Sequence, residues 1–377
     1  MPIAINYCVR SATNFKECWM RRAIADLPLH GGKCPPWLFE RMKTLGGLIM
    51  EAIVEFFGEE EILCRISDPV FFQSLGCLLG FDWHSSGLTT TLCGALKEGV
   101  RGKEKDLRLF ICGGKGATSR KTPEEICLHA QKHALPFADQ MVYRSRMSAK
   151  VDNSALQDGY NLYHHTFFFT FSGKWAVVQQ GMNPDTKYAR RYHWWGEGVK
   201  DLVCEPHQGI WGEKKEREVL NLVARESTDC REGIVKLAQE KPEKLKEEMT
   251  LIPRLSLPSR HFIKEEDFNL GRIDKTLHMI YEEKPQNFEN LLALRGVGPK
   301  TLRALALTTE VVMGASPSFT DPVSFSFAHG GKDGIPFPVD RETYQETIEF
   351  FTQVVQRSRA SSIDKRKMYE QLKLLTI

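Results

Sequence analysis

The chain has 377 residues, 42% hydrophobic and 26% charged, the balance of a soluble globular protein with length for two or three domains. A net charge of +3 identifies no polyanion partner by itself, but residues 101–150 carry eleven Lys/Arg against five Asp/Glu. No signal-type run, membrane-length apolar stretch, CxxC pair or internal repeat is present, which predicts a reduced cytoplasmic protein with no membrane partner.

Residues 1–19 lack a clear period and read as an extension. Trp37 to Phe57 predicts a helix, with apolar residues at Leu38, Met42, Leu45, Ile49, Ile53 and Phe56 and Gly58 as its stop. Asp68-Pro69 opens a second helix, Val70 to Leu79. The run from Gly80 to Thr91 is dense in ligand-type side chains, and Asp82 and His84 are candidate metal ligands. Its serines and threonines suit either helix capping or a phosphate ahead of a helix at Leu92 to Gly99. Leu107 to Cys112 predicts a strand. The basic, glycine-rich segment Gly113 to Pro123 follows, in which backbone N–H groups with Lys115, Arg120 and Lys121 suit a phosphate. Its order is not that of a Walker loop, so ATP hydrolysis is not expected; a plain surface loop is the alternative.

Residues 147–180 are the densest chemical stretch. His165 to Phe171 and Lys174 to Gln180 predict two strands joined at Ser172-Gly173. Lys150, Asp152, Asp158, His164 and His165 crowd the segment around the first strand. Tyr188 to Trp195 interleaves Arg190 and Arg191 with aromatic rings, a pattern for gripping a nucleic-acid strand or for a packed core edge. Beyond Trp211 the composition becomes helical and charged, at Glu213 to Ala224, Lys236 to Met249 and Asp267 to Lys284. Ser316 to Val339 holds too many Gly and Pro for a helix; helical spacing resumes at Asp340 to Val355 and Asp364 to Leu375. The fold class is therefore α+β: a mixed, catalytic domain at 20–210 with an antiparallel hairpin, then a helical DNA-binding domain at 211–377.

Within that second part, Asn287 to Met313 stands out. Phe288, Leu291 and Leu292 predict a short helix, Gly296 and Gly298 a tight turn with positive φ, and Pro299 the start of a new helix. A helix N-terminus behind such a turn offers unpaired N–H groups to a phosphate, with Lys300, Thr301 and Arg303 adding contacts. Contacts of this kind read no base edge, so binding is expected to be sequence-independent and salt-sensitive. The segment RGVGPKTLRALAL resembles the helix-hairpin-helix elements of DNA repair proteins.

The motifs ADLPLHGGKCPPWL, LGFDWHSSGLTTT, GGKGATSRKTPEEI, LQDGYNLYHHTF, WAVVQQGM, RGVGPKTLRALAL and FAHGGKDGIPFPVDR resemble, over nearly the whole chain from Met20, the archaeal and bacterial family known as domain of unknown function 763. That resemblance implies no activity. The helix-hairpin-helix glycosylases are a local resemblance: Lys300 stands where their lyase members carry a catalytic lysine, and Asp340 has the look of their downstream aspartate, behind a longer connection.

Three functions follow as expectations. The first is a metal-dependent DNA nuclease of repair or recombination. Its catalytic residues would be Asp152, Asp158, His164, His165 and Lys174, with Asp82, His84, Asp158 and His164 around Mg²⁺ or Mn²⁺, or Zn²⁺ if imidazoles dominate. It is no PD-(D/E)xK match, because Gln179 and Gln180 stand where an acid and a lysine belong. The second is a glycosylase/lyase using Lys300 and Asp340. The third is a non-catalytic DNA-binding repair factor.

Overall fold

The computed structural model describes Leu27 and residues 34–81, 85–212, 215–251, 270–323, 325–326 and 341–374. Four helices come first: α1 (Pro36–Phe57), α2 (Glu59–Ile66), α3 (Pro69–Leu78) and α4 (Gly87–Val100). Each start has a local cause. Pro36 and Pro69 occupy first-turn positions that need no N–H, and Asp68 accepts from the Val70 and Phe71 amides. A one-turn α5 (Glu104–Leu107) leads into β1 (Leu109–Lys115), and a 3₁₀ turn at 116–121 connects to α6 (Thr122–His133) and α7 (Ala138–Lys150). A π-turn at 151–155 then ends in β2 (Leu156–Gln157), followed by β3 (Asn161–Thr170), β4 (Trp175–Met182), β5 (Ala189–Trp195), β6 (Gly209–Gly212) and β7 (Leu220–Asn221). The remainder is α8 (Thr228–Ala238), α9 (Pro242–Leu251), α10 (Leu270–Glu283), α11 (Phe288–Ala293), α12 (Pro299–Met313), β8 (Phe325–Ser326), α13 (Arg341–Arg357) and α14 (Ser362–Leu374).

The protein is α+β. Its main sheet has the order β1-β3-β4-β5-β6-β8, antiparallel except for the parallel β6–β8 pair, and β2 pairs with β7 in a second, small sheet. Helices cover both faces of the main sheet, so successive residues of its central strands are buried on either side. Alternation along the strands assigns the faces. Phe167, Phe169, Trp175 and Val177 join one core with α6 to α12. Phe168, Ala176 and Val178 join the other with α1 to α4, α13 and α14. In that second core Phe71 stacks on Phe351 with ring centroids 4.5 Å apart. Each fully buried phenylalanine contributes about 1.5–3 kcal/mol.

The expected boundary at 210/211 falls inside β6, and both cores take side chains from either side of it. Trp211 there is fully buried. The helix expected over Glu213 to Ala224 is not formed by its described residues. Glu216 is drawn toward β3, its amide donating to Asp321 (2.6 Å) and its carboxylate accepting from the Tyr160 hydroxyl (3.0 Å), and Leu220 enters a strand. The helix expected over Lys236 to Met249 is divided in two, because Pro242 cannot donate into a continuing helix. The extension at 1–19 and the Pro253–Pro258 linker lie outside the described residues. The eight described cysteines are free, and no helix among the described residues is long and apolar enough to cross a membrane.

Candidate functional site

The glycine-rich segment after β1 is an ordered strand end and turn. Gly113 has φ +93°, and a Cβ there would meet the His165 carbonyl at 2.3 Å, so only glycine lets β1 come this close to β3. Glu125 accepts from the Gly113 amide (2.7 Å) and from Lys97 Nζ (2.7 Å), which also donates to the Gly113 carbonyl (2.8 Å). Strapped in this way, the 3₁₀ turn brings Arg120 over the start of β3. There a cavity of about 360 Å³ is lined by Ser119, Arg120, Thr122 and Pro123, by Ser145, Arg146 and Ala149 of α7, and by Leu162 to His165. Lys115, Arg120, Lys121 and Arg146 are exposed around it. A larger groove of about 980 Å³ lies among α7, α8 and α11. Two of its cations serve the fold: Arg231 donates to the Leu222 and Ala224 carbonyls (both 2.7 Å), and Arg144 sits over the Trp175 ring.

His165 and His164 leave β3 on opposite faces. His165 sits between Ser145 Oγ, 2.8 Å from Nε2, and Gln179 Oε1, 2.8 Å from Nδ1. Gln179 Nε2 in turn donates to Asp152 Oδ2 (2.5 Å) and to the Ser148 carbonyl (3.2 Å). Asp152 also accepts from Trp194 Nε1 (2.9 Å) and lies 2.5 Å from His207 Nε2. Burial lowers the pKa of His165, opposed by the Gln179 hydrogen bond and the Asp152 charge. On the other face His164 Nε2 meets Thr166 Oγ1 (2.9 Å), its buried Nδ1 has no partner, and burial pulls its pKa down to about 3. Beside it Gln180 Nε2 donates to the Ser86 carbonyl (2.9 Å) and bonds the Tyr163 hydroxyl.

The other expected residues are placed elsewhere. Asp158 is fully engaged: it accepts from Arg190 Nη1 (2.9 Å), the Tyr192 hydroxyl (2.8 Å) and the Tyr160 amide (3.1 Å). Arg190 is bidentate to Asp321, at 3.0 and 2.8 Å. Burial works against the Arg190 charge, and the two carboxylates overcome it, holding the guanidinium above its ordinary range. Asp158 therefore belongs to a buried ion network rather than to a metal or catalytic centre. Arg191, on the opposite face of β5, donates to Gln73 (2.8 Å), Thr89 (3.3 Å) and the Pro69 carbonyl (3.2 Å), and burial brings its pKa to about 9. Both arginines are 0% exposed, so the expected grip on a nucleic-acid strand is corrected: neither reaches solvent. Lys174 pairs with Glu60 (2.7 Å) and Glu197 (3.4 Å) at the far end of β3, about 20 Å from His164 by strand rise. Asp82, His84 and Asp340 lie outside the described residues. No group of three or more metal-ligating side chains occurs among those described.

The corner between α11 and α12 differs from expectation in one glycine. Gly296 has φ +93°, but Gly298 is extended at φ −137°, and a Cβ on Gly298 would meet nothing within 4 Å. Arg295 and Lys300 are exposed, Thr301 is buried, and Arg303 donates to Gln157 (2.9 Å). The corner is held from α7. Lys150 Nζ donates to the carbonyls of Leu292 (2.6 Å), Leu294 and Val297 (3.5 Å), and Tyr143 donates to Glu289 (2.6 Å). Ala149, the residue before Lys150, lines the cavity. One helix thus joins the corner to the histidine pocket. Reading the sequence missed Ser145, Arg146 and the role of Gln179; their one signal was the basic run Arg144 to Lys150.

No curated protein and no solved structure matches the chain. A family model described as a protein of unknown function (DUF763) matches residues 23–339, and the protein belongs to that family.

Proposed function

We propose that the protein binds DNA by its sugar–phosphate backbone and acts as a nuclease-type phosphodiesterase at the cavity between α7 and β3. The observation that carries this reading is the joint made by α7. Ala149 lines the cavity, and the next residue, Lys150, donates to three carbonyls of the helix-hairpin-helix corner. Arg295 and Lys300 at the corner and Arg146, Arg120, Lys121 and Lys115 about the cavity are exposed cations on elements that this helix connects. Six such cations suit a phosphate backbone, whose binding releases counterions and weakens steeply with salt. Gly298 supports the corner's part in it. Its backbone angles suit any residue and its Cβ position is open, so the fold does not require glycine there and a backbone phosphate has room to approach the bare α-carbon.

The test is labelled DNA of random sequence, with and without Mg²⁺, Mn²⁺ or Zn²⁺. Retardation that is independent of sequence and falls with salt is the expected binding result, and cutting of undamaged DNA is the expected activity. Loss of cutting in EDTA assigns a divalent cation to the reaction, as first expected from the sequence, and cutting that persists in EDTA assigns it to the protein's own side chains. Retardation without cutting makes the protein a repair-type DNA-binding factor, and no retardation at low salt overturns the reading.

A further inference from the structure

The hydrogen bonds behind the cavity have a direction. Gln179 Nε2 donates to Asp152 Oδ2 and to the Ser148 carbonyl, both of which can only accept, so Gln179 Oε1 faces His165 Nδ1. His165 Nδ1 therefore carries the hydrogen, and its Nε2 presents a lone pair to Ser145 Oγ at 2.8 Å. Ser145 must be the donor. Its behaviour is unlike that of Thr308, Thr309 and Ser148. Thr308 and Thr309 bond back to the carbonyl four residues earlier, and Ser148 to the one three earlier, the usual arrangement in a helix. Ser145 instead points to an imidazole at the wall of a cavity.

Resting on the DNA reading above, we propose that Ser145 is a nucleophile toward phosphodiesters, with His165 as its general base and Gln179 and Asp152 as positioning residues. The elements are those of activated-serine chemistry: nucleophile, base within hydrogen-bond reach, and a third group fixing the tautomer of the base. Arg120 and Arg146 at the cavity favour an anionic phosphodiester over a neutral acyl ester. In the first step the Ser145 Oγ–H proton passes to His165 Nε2 while an Oγ lone pair forms a bond to phosphorus. The phosphorus–oxygen bond to the leaving sugar breaks, and that oxygen takes the proton from His165. The product is one free DNA end and a strand joined to Ser145 through phosphate. Water then attacks phosphorus, giving its proton to His165, and the departing Ser145 oxygen recovers it.

Two measurements test this on the full chain. A fluorophosphonate probe with peptide mass spectrometry reads the nucleophile without DNA. Label is expected on Ser145, absent in Ser145→Ala and slower in His165→Gln by on the order of 100-fold, the contribution of a general base. Ser145→Cys, close in size, serves if the alanine variant does not fold. Unlabelled Ser145 in the folded protein overturns the proposal. Separately, end-labelled DNA in EDTA, quenched in detergent, is expected to give a protein–DNA adduct mapping to Ser145. If Ser145→Ala cuts DNA at the native rate, the nucleophile is wrong while the DNA reading stands. If Ser145 takes the probe but the protein never retards DNA, the DNA reading falls and the nucleophile survives.

Discussion

Two buried aspartates six residues apart have opposite fates. Asp158 is closed: it accepts from Arg190, which is also bidentate to Asp321, from the Tyr192 hydroxyl and from the Tyr160 amide, all groups buried within the fold. Asp152 is open-ended, since its chain of bonds runs through Gln179 and His165 and stops at a hydroxyl on a cavity wall. Burial and an acidic side chain are common to both. What separates structure from candidate chemistry is whether the network ends in a cation or in a hydroxyl that lines a cavity.

The contrast is broken most severely at Arg190. Arg190→Met leaves two buried carboxylates uncompensated and is expected to cost about 3–5 kcal/mol in urea unfolding, with DNA affinity of the folded fraction unchanged. Next come the aspartates themselves. Asp152→Asn and Asp158→Asn should each lose roughly 1.5–3 kcal/mol as charged hydrogen bonds are weakened. Only Asp152→Asn should slow probe labelling of Ser145, because an amide there lets Gln179 turn and the His165 tautomer change. Equal labelling in the two variants would erase the distinction drawn between them.

Acid comes third. His164 has a folded pKa of about 3 against 6.5 in the unfolded chain, so the unfolded state binds more protons between those values. Its contribution is complete above pH 6.5 and is lost as pH falls toward 3, at up to about 1.4 kcal/mol per pH unit for each proton. Burial lowers His165 and His193 in the same direction. Urea midpoints between pH 7 and 4 should therefore fall, and His164→Gln should flatten the slope. The smallest effect separates the two corner glycines. Gly296→Ala, at positive φ, should cost about 1 kcal/mol. Gly298→Ala should change stability by no more than about 0.5 kcal/mol yet weaken DNA retardation; unchanged retardation would remove Gly298 from the interface.

Much of the fold was legible because local chemistry and tertiary structure agreed. The Phe167–Phe169 run, Pro299 after the glycine turn, and the period of α1 each specify their own element. The site was less legible. Arg190 and Arg191 are adjacent in sequence, but strand alternation sends them into separate buried networks, which no composition of aromatic and basic residues reveals. Gln179 and Gln180 looked like the absence of a known motif, whereas pairing across β3 and β4 makes Gln179 the link between acid and imidazole. Ser145 is one serine in a helix until the sheet brings His165 to it.

The stacking of Phe71 on Phe351 couples the beginning of the fold to its last helices. A ribosome must release some 280 further residues after Phe71 before its partner exists, and contacts so distant in sequence form slowly. Until then Phe71 lacks the rings of Phe350 and Phe351 that cover it in the finished fold. Newly made chains should accordingly depend on chaperone occupancy during synthesis, and products cut short before α13 should aggregate even with the α11–α12 corner intact.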